Sequence, residues 1–220
     1  MIISPSILNA DNLNLGRDIK KATQAGITRF HIDIMDGHFV PNLSYGPQLV
    51  QDFKREFPLV EAEVHLMSNN LETTIPAFTQ SGADLLEFHF EATNKVDYWL
   101  DYLASNGVKA GLVLNPETDV ASLKPYLKKL KQVLLMSVHP GFGGQKYIPE
   151  TAEKIAQLKQ LTNEAGVNIP IEVDGGINDK TAPLAAQAGA DILVCGSYIF
   201  KNGDIASQIR KLEGILNEGH

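Results

Sequence analysis

Eight short apolar, β-branched runs recur along 220 residues, each followed by a more polar stretch with helical spacing. No other feature limits so strongly what the chain can fold into. The runs predict strands at 2–8, 28–34, 59–66, 84–90, 108–114, 132–138, 169–174 and 191–195. The stretches between them predict helices at 13–25, 46–56, 71–81, 95–106, 120–130, 149–165, 180–188 and 205–216. Ala25-Gly26, Ser81-Gly82, Asn106-Gly107, Ala165-Gly166 and Ala188-Gly189 put glycine where a helix C-cap needs positive φ, shortly before a strand. Repeated β-then-α units with short connections build a parallel sheet, and eight of them close most simply as a (β/α)8 barrel. A doubly wound open sheet is the competing arrangement. With no linker or change of composition, 1–220 is expected to be a single barrel domain of α/β class.

Composition narrows the class of partner. With 44% hydrophobic and 20% charged residues the chain is ordinary globular material rather than disordered. A formal net charge of −7 argues against nucleic acid or an anionic membrane as partner. It leaves an anionic small molecule open, since a few backbone N–H groups suffice to hold a phosphate. Cys195 is the only cysteine, so no intramolecular disulfide can form. Without a signal-like or membrane-spanning stretch, a cytoplasmic location is expected. A homo-oligomer is the expected assembly.

In a (β/α)8 barrel the chemistry gathers at the carboxyl ends of the strands. Polar residues that a buried strand disfavours cluster at those ends: Ser6, His31, Asp33, Asp36, His65, His89, Glu91, Asn115, Ser137, His139, Glu172, Asp174 and Gly196-Ser197. His31 and Asp33, two apart on one strand, face the same way. Taken alone, the pair is better read as a structural hydrogen bond. His65 on the next strand and Asp174 across the barrel change that balance. Two imidazoles and two carboxylates at one mouth form a mixed N/O set suited to one divalent ion, Zn²⁺ first, with Fe²⁺, Mn²⁺ or Co²⁺ as alternatives.

Three glycine-bearing turns share the same rim. Pro140-Gly141-Phe142-Gly143-Gly144-Gln145, Asp174-Gly175-Gly176 and Cys195-Gly196-Ser197 follow strands 6, 7 and 8. Each could be only a turn, but together they suit a phosphate held by backbone N–H groups. Met35, Met67 and Met136 also fall at strand ends, where they serve as core filler or as an apolar lining of the reacting centre. No Lys ends a strand, which disfavours Schiff-base chemistry. Cys195 has no evident base beside it and reads as a core thiol.

Several stretches resemble the ribulose-phosphate 3-epimerase family. They are Ser4-Pro5-Ser6-Ile7-Leu8, the run from His31 to Asn42, Val64-His65-Leu66-Met67, the run from Met136 to Gln145, Glu172-Val173-Asp174-Gly175-Gly176 and Gly189-Ala190-Asp191. The resemblance runs in order from strand 1 to strand 8. It implies a barrel of the ribulose-phosphate-binding type, with a metal held by His31, Asp33, His65 and Asp174. It implies Asp33 and Asp174 as the acid/base pair for proton transfer at C3 of a ketopentose phosphate. It implies substrate contacts from Ser6, His65, Gly141, Phe142, Gly143, Gly144, Asp174, Gly175, Gly176, Gly196 and Ser197. His139 stands where the family usually has Asn. The same chemistry on a ketohexose phosphate such as D-allulose 6-phosphate, and a non-catalytic sugar-phosphate-binding barrel, are the alternatives.

Overall fold

The computed structural model describes residues 1–201 and 203–218. Asn202, Gly219 and His220 of the expected 1–220 span lie outside the described residues. All eight strands form: β1 (Ile2–Pro5), β2 (Arg29–Met35), β3 (Glu61–Met67), β4 (Leu85–His89), β5 (Lys109–Leu114), β6 (Gln132–Met136), β7 (Ile171–Asp174) and β8 (Ile192–Cys195). They pair in parallel in the order β1-β8-β7-β6-β5-β4-β3-β2, and a parallel bridge from Ser6 to His31 joins β1 to β2 and nearly closes the barrel. The helices are α1 (Leu15–Gln24), α2 (Pro47–Glu56), α3 (Leu71–Gln80), α4 (Val96–Ser105), α5 (Thr151–Glu164), α6 (Ala182–Ala188), α7 (Ser197–Lys201) and α8 (Ile205–Glu218). The (β/α)8 expectation is met.

Most boundaries shift by one or two residues, and three differences from the sequence expectation go further. Strand 1 stops at Pro5 rather than residue 8, because Ile7–Asn9 winds into a 3₁₀ turn whose Leu8 N–H bonds the Ser6 hydroxyl. The expected helix over 120–130 is only a 3₁₀ segment, Val120–Leu123, followed by turns. Pro125 has no N–H to give the Ala121 carbonyl and disfavours helical backbone at Lys124. Leu123, Leu127 and Leu130 are buried all the same, so their spacing reports packing against the barrel rather than a helix. After Gly196, where a glycine turn was expected, Ser197 opens a short extra helix, α7. The glycine caps hold, with Gly189 closing α6 at φ 109° and Gly26, Gly82, Gly107 and Gly166 also at positive φ.

Alternation along the strands sorts the core into two layers. Phe30, Ile32 and Ile34 of β2, Val64 and Leu66 of β3 and Leu112 and Leu114 of β5 turn outward and join one cluster with the helices. The intervening positions point into the barrel, and on β2, β3, β4 and β7 they are mostly polar. Low in that interior, Arg29 grips Glu63 with Nε (2.9 Å) and Nη2 (2.7 Å). Ser4 Oγ donates to Glu63 at 3.0 Å. Gln132 accepts from Arg29 at 2.5 Å, and its amide nitrogen, with two hydrogens to give, lies within hydrogen-bond reach of Glu87 at 3.0 Å, of Glu63 and of Glu172. Burial and the charge on Glu63 hold the Glu87 and Glu172 carboxyls well above the usual range. Burial also raises Glu63, but its contacts to Glu172, His31 and Arg29 outweigh this and keep it ionised.

Arg29→Met would leave a buried carboxylate without its cation. Its folding free energy should fall by about 3–5 kcal/mol in urea denaturation followed by circular dichroism. A loss under about 1 kcal/mol would show that the pair is not the anchor of this layer.

Candidate active site at the barrel mouth

Above the Arg29–Glu63 layer, the next inward positions bring His31, Asp33, His65 and Asp174 together. The β2–β3 register sets Asp33 beside His65, and Met136 pairs with Asp174 on the far side. His31 Nε2 lies 3.2 Å from His65 Nδ1, and Asp33 Oδ1 lies 3.3 Å from both. Asp174 Oδ2 is 4.0 Å from His31 Nε2. One ligand atom from each of the four lies within 4.8 Å of the others, so the cluster could hold a metal ion. Ser6 Oγ donates to the other Asp33 oxygen at 2.5 Å, which turns Oδ1 toward the rings.

The donor set fits a cation on its own chemistry. Two ring nitrogens and two carboxylates converge, and lone pairs pointed at one another repel unless a positive charge lies among them. Without a metal, protons must serve, and the electrostatics show it. Burial pushes Asp174 up, the neighbouring Asp33 charge pushes it further, and it titrates at about 7. Burial opposes a charge on His31, yet Asp33 and Glu63 outweigh it and lift His31 well above an ordinary imidazole. Burial would raise Asp33, but His31 and His65 hold it below the usual carboxylate range. Burial brings His65 down to about 4, so its ring is neutral at pH 7, the form that ligates.

A pocket opens over this centre. Ser6, Asp33, Asp174, Met35, Met67 and Met136 line it, together with Gly141, Phe142, Gly143, Gly144, Gly175, Gly176, Gly196 and Ser197. His31 and His65 are fully buried beneath it. The glycine turns are needed for close approach. Gly176 sits at φ 65°, and a Cβ there would run into the Tyr147 backbone and reach 2.9 Å from the Gln145 carbonyl oxygen. A Cβ on Gly143 would meet the Asn9 amide at 2.6 Å. Met35 and Met67 pack with Val40, and Met136 with Val113, Leu134 and Val138, so they are both core filler and pocket floor.

Some residues fall outside this centre. Asp36 takes the N–H groups of His38 and Phe39 at 2.8 Å each and of Asn69 at 3.2 Å, organising loops rather than facing the pocket. His139 is exposed, 2.5 Å from Glu117, and is not among the lining residues. Cys195 is buried, and burial with the nearby Asp174 drives its thiol up, as a core thiol requires. Among the described residues no strand ends in lysine, but Lys154 reaches from α5 to the Asn115 carbonyl at 2.5 Å, a placement strand position alone does not reveal. Asn9 lines the pocket although no motif in the sequence pointed to it, and Gln145, the end of the glycine turn, lines it too. Only the place of Asn9 just after strand 1 hinted at it.

The fold and this centre put the chain among (β/α)8-barrel enzymes. A family model described as the Ribulose-phosphate 3 epimerase family matches residues 2–200. The ribulose-phosphate 3-epimerase of Bacillus subtilis (strain 168) is 43% identical over 215 residues, covering 96% of this chain and 98% of that protein. That of Escherichia coli (strain K12) is 41% identical over 215 residues, covering 98% and 96%. A crystal structure of 3-hexulose-6-phosphate synthase from Salmonella typhimurium superposes with a TM-score of 0.67 at 17% identity, covering 100% of each chain, a likeness of fold alone. The chain belongs to the ribulose-phosphate 3-epimerase family.

The raised Asp174 value has a measurable consequence. Below about pH 7 its carboxyl carries a proton that it would have to lose to ligate an ion, whereas above it the proton is already gone. Calorimetry in buffers of different ionisation enthalpy should find about one more proton released on Zn²⁺ binding at pH 6 than at pH 8. Asp174→Asn should abolish the difference. Equal release at both pH values in the parent protein would contradict the titration assigned to Asp174.

Proposed function

We propose that the protein interconverts D-ribulose 5-phosphate and D-xylulose 5-phosphate by moving the proton on C3 between Asp33 and Asp174. The observation that carries this reading is the approach of both aspartates to one pocket from β2 and β7, beneath a rim of glycine turns. Family membership supplies the substrate class.

His31, Asp33, His65 and Asp174 are the residues that would hold a divalent ion, and zinc is the ion we favour for this imidazole–carboxylate set. When bound, the ion supplies positive charge against the negative charge that develops on the sugar oxygens as the proton leaves. The protein does the rest. One aspartate takes the C3 proton from one face and the other returns a proton to the opposite face, with roles exchanged in the reverse direction. Ser6 holds the Asp33 carboxylate in one orientation through its 2.5 Å hydrogen bond. The turns at Gly141–Gly144, Gly175-Gly176 and Gly196-Ser197 offer backbone N–H groups to the phosphate, which keeps C3 between the two carboxylates. Phe142 lies on the pocket rim and Met35, Met67 and Met136 form its floor, giving an apolar boundary that limits water at the reacting carbon. The catalytic unit extends over the whole chain, acts as a homo-oligomer and works in a reducing compartment, the cytoplasm.

Asp33→Asn and Asp174→Asn should each lower kcat by at least ~10²-fold while the circular dichroism spectrum is retained. Near-normal turnover in either variant would remove that residue from the acid/base pair. In D₂O the product should carry solvent deuterium at C3, and epimerisation with none would argue for a route without exchangeable carboxyls. Ribulose 5-phosphate should exceed allulose 6-phosphate in kcat/KM; the reverse order would move the assignment to a ketohexose phosphate.

A further inference from the structure

A chain of closely spaced polar side chains leads from the candidate metal centre toward the barrel surface. His65 has one ring nitrogen in the centre, Nδ1, 3.3 Å from Asp33 and 3.2 Å from His31. Its other nitrogen, Nε2, lies 2.9 Å from Nε2 of His89, the last residue of β4. Nδ1 of His89 lies 3.4 Å from Oε2 of Glu91. The second oxygen of Glu91 accepts the Asn115 backbone N–H at 2.9 Å and the Thr118 hydroxyl. Both rings are fully buried, and the Phe39 ring packs on His89 with centroids 4.6 Å apart.

Two imidazole nitrogens at hydrogen-bond distance share one proton, so one ring must donate and the other accept. Glu91 is bound on one oxygen by two donors from the β5 side. Its other oxygen lies 3.4 Å from Nδ1 of His89, where no hydrogen bond forms in this geometry, but the carboxylate charge at that distance favours the proton on that nitrogen. The neutral His89 ring then has its lone pair on Nε2 and can only accept there. His65 must donate from Nε2, and its Nδ1 is left with a lone pair aimed at Asp33 and His31. Each group dictates the proton on the next.

We infer that His89 and Glu91 are positioning residues that hold His65 in its metal-ligating tautomer. The inference rests on the reading of His65 as a metal ligand. A ligating histidine whose outer N–H is fixed keeps its ring orientation and basicity, and loss of the outer partner costs about 10- to 100-fold in metal affinity. Here the outer partner is a second imidazole, and a carboxylate sets its orientation in turn.

The probe is Zn²⁺ alone, with its Kd measured by chelator competition on the full chain. His89→Leu, which cannot accept the hydrogen bond, should weaken zinc binding about 10- to 100-fold. His89→Gln, whose amide oxygen can accept it, should recover most of that loss. A Kd for His89→Leu within about twofold of the parent would overturn the relay, as would His89→Gln being as weak as His89→Leu. His65→Ala in the same titration separates the two readings. Lost affinity there with none lost in His89→Leu defeats the relay alone, and none lost in either defeats the metal reading on which it rests. Long-range ¹H–¹⁵N spectra of the parent protein need no variant to fold. They should place the His89 proton on Nδ1 and, in the zinc-free protein, the His65 proton on Nε2; a proton on either opposite nitrogen would overturn the inference.

Discussion

The arrangement at the barrel mouth depends on one buried ion pair, the two-pronged grip of Arg29 on Glu63. A closed parallel barrel turns every second side chain inward, into a space no water can fill freely. This chain spends several of those positions on glutamates. Glu63, Glu87 and Glu172 surround Gln132, and full ionisation of all three beside a single arginine would be prohibitive. The solution is one ionised carboxylate paired with Arg29 and two held neutral by burial and by its charge. His31 stands on this layer, its Nδ1 3.5 Å from Glu63, so the outer centre inherits its orientation from the layer below.

That inheritance separates the two aspartates. Asp33 sits between two imidazoles and the Ser6 hydroxyl and stays ionised, whereas Asp174 has burial and the Asp33 charge against it and is lifted to about 7. Below about pH 7, two carboxyls of the same kind thus take opposite protonation states in the metal-free centre, for reasons of environment alone. A centre that assembles two carboxylates and two imidazole nitrogens this closely could hold a cation, which would reconcile their charges. His89 and Glu91 extend the same logic outward.

Much of this was legible in the sequence where a rule of spacing applied. The i, i+2 pair His31 and Asp33 had to share a face, and the eightfold rhythm had to bring His65 and Asp174 to the same rim. The glycine turns at 141–144, 175–176 and 196 line the pocket as their clustering suggested. Spacing misled at 120–130, where Leu123, Leu127 and Leu130 keep a helical rhythm that Pro125 denies to the backbone. It was silent on the Glu63–Glu87–Glu172 layer, since a polar residue inside a strand reads the same whether it is paired with Arg29 or with nothing. Asn9 reaches two glycine turns far away in the chain, at Gly143 and Gly196, a meeting no local pattern encodes.

Sequence by itself therefore determined the unit and its count, the faces of each strand and the residues able to do chemistry at the strand ends. These follow from periodicity, and periodicity is a property of consecutive residues. Tertiary structure alone decided which of those residues meet, at what distance and in which protonation state. Register across eight strands sets the 2.9 Å contact between His65 and His89 and the unequal titration of Asp33 and Asp174. Electrostatic free energy depends on distance and burial, and neither exists until the barrel closes.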